Sequence, residues 1–350
     1  MGKYYTSTEC DIYHGDSLSQ LKLLEDCCIN TCVTSPPYFG LRSYFPDGVQ
    51  PKKDCPKWVL DKLGFTKAYK KSDIPEELQQ YFEPVELGLE DTPEEYIDKL
   101  VEIFSEVRRS LRDDGTLWLN IGDSYAGNCS RASNNGRAGF GNKRECITKR
   151  QFEGIKTKDL IGIPWMLAFA LRADGWYLRQ DIIWEKVNPL PESVKDRCTK
   201  SHEYIFLLSK SPKYYYDHEI IKVPCKTKAV SRNKKGEGYQ ADYPGGDRFS
   251  DGERVWGSDK KNKRSVWSVP VKGYSGAHFA VFPEKLIEPC ILAGCPEGGV
   301  VLDPFSGSGT TMEVCLKNNR KSIGIELVED YIKLQLDRIE KIEDAKGLFR

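Results

Sequence analysis

The segment DPFSGSGTT, residues 303–311, constrains the fold of this chain more than any other stretch. It completes the apolar run VVLDPF at 300–305, and a predicted helix follows it. Gly307 and Gly309 allow a tight turn and a close approach of the backbone to a ligand. A buried strand, a glycine-rich turn and a helix in this order predict an α/β fold whose sheet binds a nucleotide-like ligand at its carboxyl edge. An ordinary tight turn is the alternative.

The residues at the end of this segment and just after it exclude two classes of phosphate-bearing ligand, dinucleotides and nucleoside triphosphates. A dinucleotide site needs a third glycine three residues after Gly309, where this chain has Met312. A nucleoside-triphosphate loop needs a lysine beside its last Ser or Thr, and Thr310 and Thr311 have none. We therefore expect a ligand without a phosphate chain.

Two acidic residues indicate which ligand remains. Glu326 ends the next predicted strand, 19 residues after Gly307. In such sheets a carboxylate at about this position binds ribose hydroxyls. Asp303 is available for an amino-acid group. An adenosyl ligand with an amino-acid end, such as S-adenosylmethionine, fits this pattern.

A second unusual segment, CVTSPPYFG, covers residues 32–40. Pro36 and Pro37 remove two backbone donors and fix two φ angles, so neither a helix nor a sheet can continue through them. The segment predicts a stiff corner after a buried strand. It presents the hydroxyl of Ser35, the carbonyl of Pro36 and the ring of Tyr38, whereas Phe39 is expected in the core. A rigid surface turn is the alternative.

The remaining pattern alternates strands and helices, as α/β folds do. Thr92 before Pro93 predicts a helix start, and Asp113-Asp114-Gly115 predicts its end. Two strands near the middle of the chain are expected to pair in antiparallel fashion. The other predicted elements are strands at 29–34, 116–122, 177–185, 203–209, 300–305 and 321–327, and helices at 160–173, at 283–294 and at the C-terminus.

The charge is balanced overall but uneven along the chain. The formal net charge is zero, yet residues 221–275 hold 13 Lys and Arg against 6 Asp and Glu. Residues 129–158 hold 8 against 2 and are rich in Gly, Asn and Ser, which predicts a mobile basic loop. Such stretches can bind nucleic acid through one face. Residues 44–82 have mixed composition and are interpreted as an insertion.

The twelve cysteines form no C-x-x-C pair. In a chain of 350 residues they are typical of reduced, mostly buried thiols, and we expect no metal site. No apolar run approaches the length needed to cross a bilayer, and the N-terminal residues lack the apolar stretch of a secretory signal. A soluble, cytoplasmic protein without membrane contact is expected.

SPPY followed later by DPFSGSGTT resembles the DNA methyltransferases that modify exocyclic amines, cytosine N4 or adenine N6, in their β class. The resemblance covers roughly residues 8–40, 87–128, 159–217 and 265–345. It implies a Rossmann-like, seven-stranded methyltransferase sheet that is circularly permuted and carries an inserted DNA-recognition lobe. The implied parts are a catalytic part at 1–220, a target-recognition lobe at 221–275 and a cofactor-binding part at 276–350.

The resemblance also implies the site. Ser35, Pro36, Pro37 and Tyr38 would be catalytic. Asp16 would contact the cofactor adenine, although capping of a helix at 18–24 explains it equally well. Phe279 would pack against the methionine end or belong to the core with Phe282. The full implied set for S-adenosylmethionine is Asp16, His278, Phe279, Asp303, Phe305, Gly307, Gly309, Thr310, Thr311 and Glu326.

Double-stranded DNA is the implied partner, and we expect four arginines of the recognition lobe to bind it. A solvated insertion is the alternative for the lobe. Trp184 and Lys186, in WEKVNP, resemble a segment that lines the base pocket, or they pack in the core. A cognate restriction endonuclease, and a monomeric or homodimeric state, remain open. The arginines are Arg232, Arg248, Arg254 and Arg264.

The chemistry distinguishes the candidate reactions. An exocyclic amine is a weak nucleophile, so acceptors for its N–H groups, such as Ser35 Oγ and the Pro36 carbonyl, would activate it. A carbon-5 cytosine methyltransferase needs a nucleophilic cysteine. Cys225 and Cys290 follow prolines, but Cys225 lies in the basic 221–275 stretch and Cys290 in a predicted apolar helix, so neither is in the segment next to the SPPY corner. By resemblance, Ser35 favours cytosine N4 over adenine N6. Methylation of RNA or a protein amide, and a catalytically silent DNA-binding module, remain alternatives.

Overall fold

The computed structural model describes most of the chain. The described residues are 3–40, 48–51, 55–63, 69–70, 74–84, 86–127, 152–225, 230–231, 255–256, 260–271 and 282–347. All the strands and helices given below lie in these ranges. Five residues predicted to bind the cofactor or DNA lie outside these ranges, as does most of the predicted basic loop. They are Arg232, Arg248, Arg254, His278 and Phe279.

Sixteen strands and seven α-helices are described. The strands are β1 (Lys3–Thr6), β2 (Cys10–His14), β3 (Ile29–Thr34), β4 (Gly48–Pro51), β5 (Tyr69–Lys70), β6 (Phe82–Pro84), β7 (Leu111–Ile121), β8 (Tyr177–Glu185), β9 (His202–Ser209), β10 (Val223–Pro224), β11 (Val230–Ser231), β12 (Val255–Trp256), β13 (Lys260–Lys261), β14 (Val266–Ser268), β15 (Val300–Asp303) and β16 (Lys321–Glu326). The helices are α1 (Ser17–Leu21), α2 (Lys57–Leu63), α3 (Pro93–Ser110), α4 (Ile163–Ala173), α5 (Glu284–Gly294), α6 (Thr310–Lys317) and α7 (Glu329–Gly347).

A mostly parallel sheet organises the fold, in the order β1-β2-β16-β15-β3-β7-β9-β8-β14. It has nine described strands rather than the expected seven, because β1 extends one edge and β14 the other. The predicted antiparallel pairing of β8 with β9 is confirmed. Since β9 is also antiparallel to β7, strand β8 runs parallel to the central strands.

Strands from the two ends of the chain lie side by side in this sheet. Val301 of β15 pairs with Thr31 of β3, and Asp303 pairs with Gly324 of β16. All these strands run in the same direction, so their carboxyl ends meet at one edge. The residues that end β3, β15 and β16 are Thr34, Asp303 and Glu326. The two segments singled out in the sequence therefore lie at the same edge of the sheet.

Helices cover both faces of the sheet. Leu100, Phe104 and Leu171 of α3 and α4 bury against one face. Leu286 and Ile291 of α5 bury against the other, together with α6. In α3, the Thr92 hydroxyl accepts a 3.2 Å hydrogen bond from the amide of Glu95, which confirms the predicted start.

The predicted end of α3 is wrong. The helix ends at Ser110, and Asp113, Asp114 and Gly115 lie inside β7. Ile29 of β3 pairs with Leu111, but Thr31 pairs with Thr116, so several residues of β7 are left out of the register as an exposed irregularity. The Asp-Asp-Gly signal thus marks a bulge within a strand rather than a helix end.

The two predicted additions to the sheet are partly described. In the 44–82 insertion, β4, β5 and β6 form a small antiparallel sheet around Val59, Leu78 and Phe82. In the predicted recognition lobe, β10 pairs with β13 and β11 with β12. The predicted lobe boundary at 275 needs correction, because β14 at Val266–Ser268 already belongs to the central sheet.

Across the described ranges, no helix is long and apolar enough to span a membrane. The cysteines in these ranges are free thiols, and Cys10, Cys32, Cys290, Cys295 and Cys315 are buried as predicted, whereas Cys27 and Cys198 are exposed.

Candidate active site

Asp303 joins the two motifs. Its Oδ1 accepts hydrogen bonds from the Thr34 hydroxyl at 2.6 Å and the Phe305 amide at 3.1 Å, and its Oδ2 accepts one from the Thr311 hydroxyl at 2.6 Å. The side chain is 1% exposed, and burial raises the pKa of Asp303 to about 6. Asp303 and Thr311 were predicted as cofactor ligands. We revise both to residues that position the two motifs, because both side chains are buried and they are hydrogen-bonded to each other.

The SPPY corner packs against α3 and the segment that precedes α3. The hydroxyl of Tyr96 donates a 2.7 Å hydrogen bond to the Pro37 carbonyl. A Cβ atom on Gly88 would lie 2.8 Å from the Tyr38 carbonyl oxygen, so this close approach requires glycine. Phe39 is 2% exposed and packs against Tyr96, which confirms its predicted place in the core. Tyr96 and Gly88 thus fix the backbone that carries Ser35 and Tyr38.

A polar network surrounds the Tyr38 hydroxyl. This hydroxyl donates a 2.7 Å hydrogen bond to Glu203 Oε2, and Ser35 Oγ lies 3.4 Å from it. Asn120 Nδ2 lies 3.4 Å from the same Glu203 oxygen, and the Lys186 ammonium pairs with the other. Burial, and secondarily the Glu203 carboxylate, raise the pKa of Tyr38 well above its usual value. The phenol therefore stays protonated at neutral pH.

Sequence reasoning missed Asn120 and Glu203. Asn120 is the polar residue within the apolar strand TLWLNIG, and Glu203 begins the predicted strand 203–209. Both positions carried a signal, since a polar side chain in a buried strand needs a partner.

Lys186 and Trp184 have different environments. Lys186 lies in the Tyr38 network, as described above. Trp184 is 4% exposed, and its indole donates a 2.9 Å hydrogen bond to the Val269 carbonyl. The prediction that Trp184 contacts DNA is therefore corrected to core packing. Arg264, also predicted to bind DNA, is exposed just before β14.

The glycine-rich turn holds Glu326. The Gly307 amide donates to Glu326 Oε2 at 2.8 Å, and the Val328 amide donates to Oε1 at 2.8 Å. Gly307 has φ +50° and Gly309 has φ +81°, both in the left-handed region. Burial raises the pKa of Glu326 to about 7. The carboxylate is thus fixed in direction at the carboxyl edge, where the sequence predicted a ribose contact.

A residue of α7 supports this turn and was not predicted. Gln335 Nε2 donates to the Gly307 carbonyl at 2.7 Å and to Ser306 Oγ at 2.9 Å. A Cβ atom on Gly309 would lie 2.9 Å from Gln335 Cγ. The hydroxyl of Thr310 is buried at the start of α6 and has no hydrogen-bond partner within the described part of the chain.

The segment His14-Gly15-Asp16, which contains the predicted adenine contact, lies beside the same turn. The Gly15 amide donates to the Glu326 carbonyl at 2.9 Å, and Ser17 Oγ donates to the Pro304 carbonyl at 2.6 Å. Asp16 Oδ1 accepts a 2.9 Å hydrogen bond from the Ser19 amide and caps α1. The helix-cap interpretation of Asp16 is thus observed, at a position next to the predicted cofactor site. Phe305 is partly buried against the main core.

Known DNA methyltransferases match most of this chain. The N6/N4 methyltransferase family model, described as DNA methylase, matches residues 29–337. The chain is similar to the Type II methyltransferase M.SmaI of Serratia marcescens, with 42% identity over 94% of this chain and 90% of that protein. It is also similar to the Type II methyltransferase M.Cfr9I of Citrobacter freundii, with 40% identity over 94% of this chain and 87% of that protein.

Solved structures share the fold. The cytosine-N4-specific PvuII DNA methyltransferase aligns with a TM-score of 0.58 at 18% identity, over 98% of this chain and 93% of that one. TTHA0409 of Thermus thermophilus, complexed with S-adenosyl-L-methionine, aligns with a TM-score of 0.52 at 19% identity, over 95% and 93%. Because the family model spans most of the sequence and relatives above 30% identity cover nearly all of it, this chain belongs to the N6/N4 DNA methylase family and is a DNA methyltransferase.

Proposed function

We propose that this chain transfers a methyl group from S-adenosylmethionine to the exocyclic N4 of cytosine in duplex DNA. The observation that carries this proposal is the Thr34–Asp303 hydrogen bond, because it fixes the SPPY corner beside the glycine-rich turn. A methyl-transfer enzyme needs an acceptor site and a donor site in contact, and the two motifs supply one each.

The residues of the turn fit S-adenosylmethionine. Glu326 offers a carboxylate that two backbone amides already orient, which suits ribose hydroxyls. The unpartnered, buried hydroxyl of Thr310 offers one further hydrogen bond. Asp16, Phe305, Gly307 and Gly309 complete the proposed set, with His278 and Phe279 outside the described residues. When bound, the cofactor supplies an electrophilic methyl group.

Ser35 and Pro36 activate the target amine in this proposal. The amine lone pair is delocalised into the base ring, so nitrogen attacks well only after it becomes pyramidal. Acceptors at Ser35 Oγ and the Pro36 carbonyl stabilise the N–H groups as positive charge develops on nitrogen. The corner holds both acceptors in place through Tyr96 and Gly88. The N–C bond would form as the sulfur–methyl bond of the donor breaks. The methylated nitrogen is acidic, so one N–H proton would pass to water beside its acceptor at Ser35 Oγ or the Pro36 carbonyl, and no strong base is needed.

Tyr38 receives the target base. A base in a duplex must leave the stack to reach an enclosed site, and an aromatic face can hold it there. Glu203 keeps the Tyr38 hydroxyl fixed, so the ring is preorganised. Lys186 balances the charge of Glu203.

Two observations support cytosine over adenine. The motif begins with Ser35, which favours N4 in the resembling enzymes, and the structurally similar PvuII enzyme is named cytosine-N4-specific. Adenine N6 is the second candidate, since a neutral hydroxyl can accept from either amine.

The curated relatives are named Type II methyltransferases, which supports a role beside a cognate restriction endonuclease. We assign sequence readout to the part of the lobe before β14, residues 221–265, with Arg264 as its described arginine.

Mass spectrometry of nucleosides tests the proposal. Unmethylated plasmid DNA is incubated with the protein and deuterium-labelled S-adenosylmethionine, then digested to nucleosides. Labelled N4-methylcytosine is the expected product, and the Ser35→Ala variant serves as the matched control. Labelled N6-methyladenine would overturn the base assignment but keep the mechanism. No labelled base in DNA, with label in RNA or protein, would overturn the substrate.

A further inference from the structure

Leu190 is the most exposed large apolar residue in the described part of the chain. Its side chain is 86% exposed, and Val187 follows at 63%. Both belong to the 186–201 loop, which joins β8 to β9. Strand β8 ends and β9 begins at the carboxyl edge of the sheet, so this loop rises from the edge that carries Ser35 and Tyr38. An isolated exposed leucine is ordinary, but this one has an unusual setting.

The 186–201 loop is held rigidly. The Asn188 amide bonds twice to Val271, donating to its carbonyl at 3.0 Å and accepting from its N–H at 2.7 Å. Glu192 accepts from Arg197 at 2.6 Å and from the Lys200 amide at 3.3 Å. Pro189 and Pro191, on either side of Leu190, fix their own φ angles. The loop therefore holds an apolar side chain in water instead of turning it inward.

The base of this loop belongs to the target pocket. Lys186 pairs with Glu203, which holds the Tyr38 hydroxyl. Leu190 lies four positions after Lys186 in the sequence, and four extended residues span at most about 14 Å. Leu190 is thus within reach of a duplex whose base occupies the pocket beside Tyr38.

The charges on the loop favour DNA over an apolar partner. The loop carries four positive residues against two negative ones, a surplus of two. The Lys200 ammonium donates a 2.7 Å hydrogen bond to the Asp123 carbonyl, two residues after the end of β7. Lys186 and Arg197 are paired with glutamates, whereas Lys195 is exposed on the same loop as Leu190. An apolar tip near an exposed cation is the pattern of side chains that wedge between DNA bases while the cation faces a phosphate. The charged residues are Lys186, Lys195, Arg197, Lys200, Glu192 and Asp196.

We infer that Leu190 is a wedge that enters the duplex at the target step and fills the space left by the flipped base. This inference rests on the proposed function and deepens it, because it assigns a residue to the opening of the duplex. The wedge stabilises the open state, and Tyr38 receives the base. Leu190 takes no part in the methyl transfer itself.

The test compares two duplexes that carry the recognition site, located by mapping modified bases in plasmid DNA from cells expressing the chain. In one duplex the target base is paired, and in the other it lies opposite an abasic site, so that it is already unpaired. Leu190→Ala is expected to lower kcat/KM at least tenfold on the paired duplex and less than twofold on the pre-opened one. Leu190→Phe, which keeps an apolar wedge, is expected to retain activity on both.

Leu23→Ala is the matched control, since Leu23 is 55% exposed and follows α1 on the way to the amino end of β3. It is expected to change neither rate. Equal loss on both duplexes in Leu190→Ala, or loss on neither, would overturn the wedge and leave the proposed function intact. A wild-type chain that methylates neither duplex would overturn the proposed function, and the wedge with it.

Discussion

The hydroxyl of Thr34 donates a 2.6 Å hydrogen bond to Asp303, which lies 269 residues further along the chain. Thr34 immediately precedes Ser35, and Asp303 immediately precedes the glycine-rich turn. One buried contact thus sets the distance between Ser35, the proposed acceptor for the amine, and the turn that we propose holds the methyl donor. The sheet makes this contact possible, since β3 and β15 are neighbouring parallel strands.

Thr34→Val tests this contact with a nearly isosteric change. The substitution leaves Asp303 with one fewer donor, and hydrogen bonds to charged groups contribute about 1.5–3 kcal/mol. We expect the free energy of unfolding, measured by urea titration at about pH 8, to fall by that amount. Methyl transfer should fall as well, because the corner and the turn lose their common anchor.

Thr31→Val on the same strand is the control. Thr31 is also buried, but its hydroxyl bonds to the neutral Thr116 hydroxyl at 2.8 Å, away from the site. We expect a loss of about 1 kcal/mol and normal methyl transfer. If both variants lost activity equally, the Thr34 contact would have no special role in the site.

Tyr38 and Glu203 are expected to act as a unit. Tyr38→Phe keeps the ring and removes the hydrogen bond to Glu203, and Glu203→Gln removes the charge from the same contact. Each single change should lower the single-turnover rate about tenfold, because the ring loses its fixed orientation. The double variant should lose little more than either single one, and additive losses would show that the residues act separately.

The affinity for S-adenosylmethionine should depend on pH through Glu326. Burial raises the pKa of this carboxyl to about 7, so the acceptor form dominates above that value and is lost as the pH falls through it. Calorimetry should find affinity falling about tenfold from about pH 8 to about pH 6. Glu326→Gln should bind more weakly at the higher pH and show a flat profile. A wild-type affinity independent of pH would contradict the assigned role.

Gly307→Val should abolish cofactor binding before it affects the fold. Gly307 has φ +50° and its amide orients Glu326, so a branched side chain strains the backbone of the turn itself. Gly298→Val is the matched control, since Gly298 has φ +74° but lies in the turn before β15, at the opposite edge of the sheet. Both variants should lose about 1–2 kcal/mol of stability. Loss of cofactor binding in both would indicate general unfolding.

Local patterns predicted much of the fold. The predicted strand at 29–34 and the helix start at Thr92 are confirmed, because both depend on residues adjacent in sequence. The wrong end of α3 came from a turn signal that lies within β7. The two edge strands were missed since β14 is only three residues long and β1 is largely exposed.

Candidate site residues could be singled out only where one segment carries several of them, as the SPPY corner and the glycine-rich turn do. Glu203 and Gln335 were missed because their partners, Tyr38 and Gly307, lie 165 and 28 residues away, and only the tertiary fold joins them. Trp184 was misassigned, although it lies two residues after the buried Ile182 on β8. Residues two apart on a strand share a face, so this spacing indicates that Trp184 points to the core.

Ser35→Ala tests the central claim most directly, namely that the corner performs the transfer and the turn binds the donor. Two quantities are measured on the same preparation: the single-turnover rate of methyl transfer to duplex DNA, and the affinity for S-adenosylmethionine by calorimetry. We expect the rate to fall by about 10²–10³, as for loss of one preorganised hydrogen-bonding group in an active site, and the affinity to change less than about twofold. Equal losses of rate and affinity, or an unchanged rate, would contradict the account.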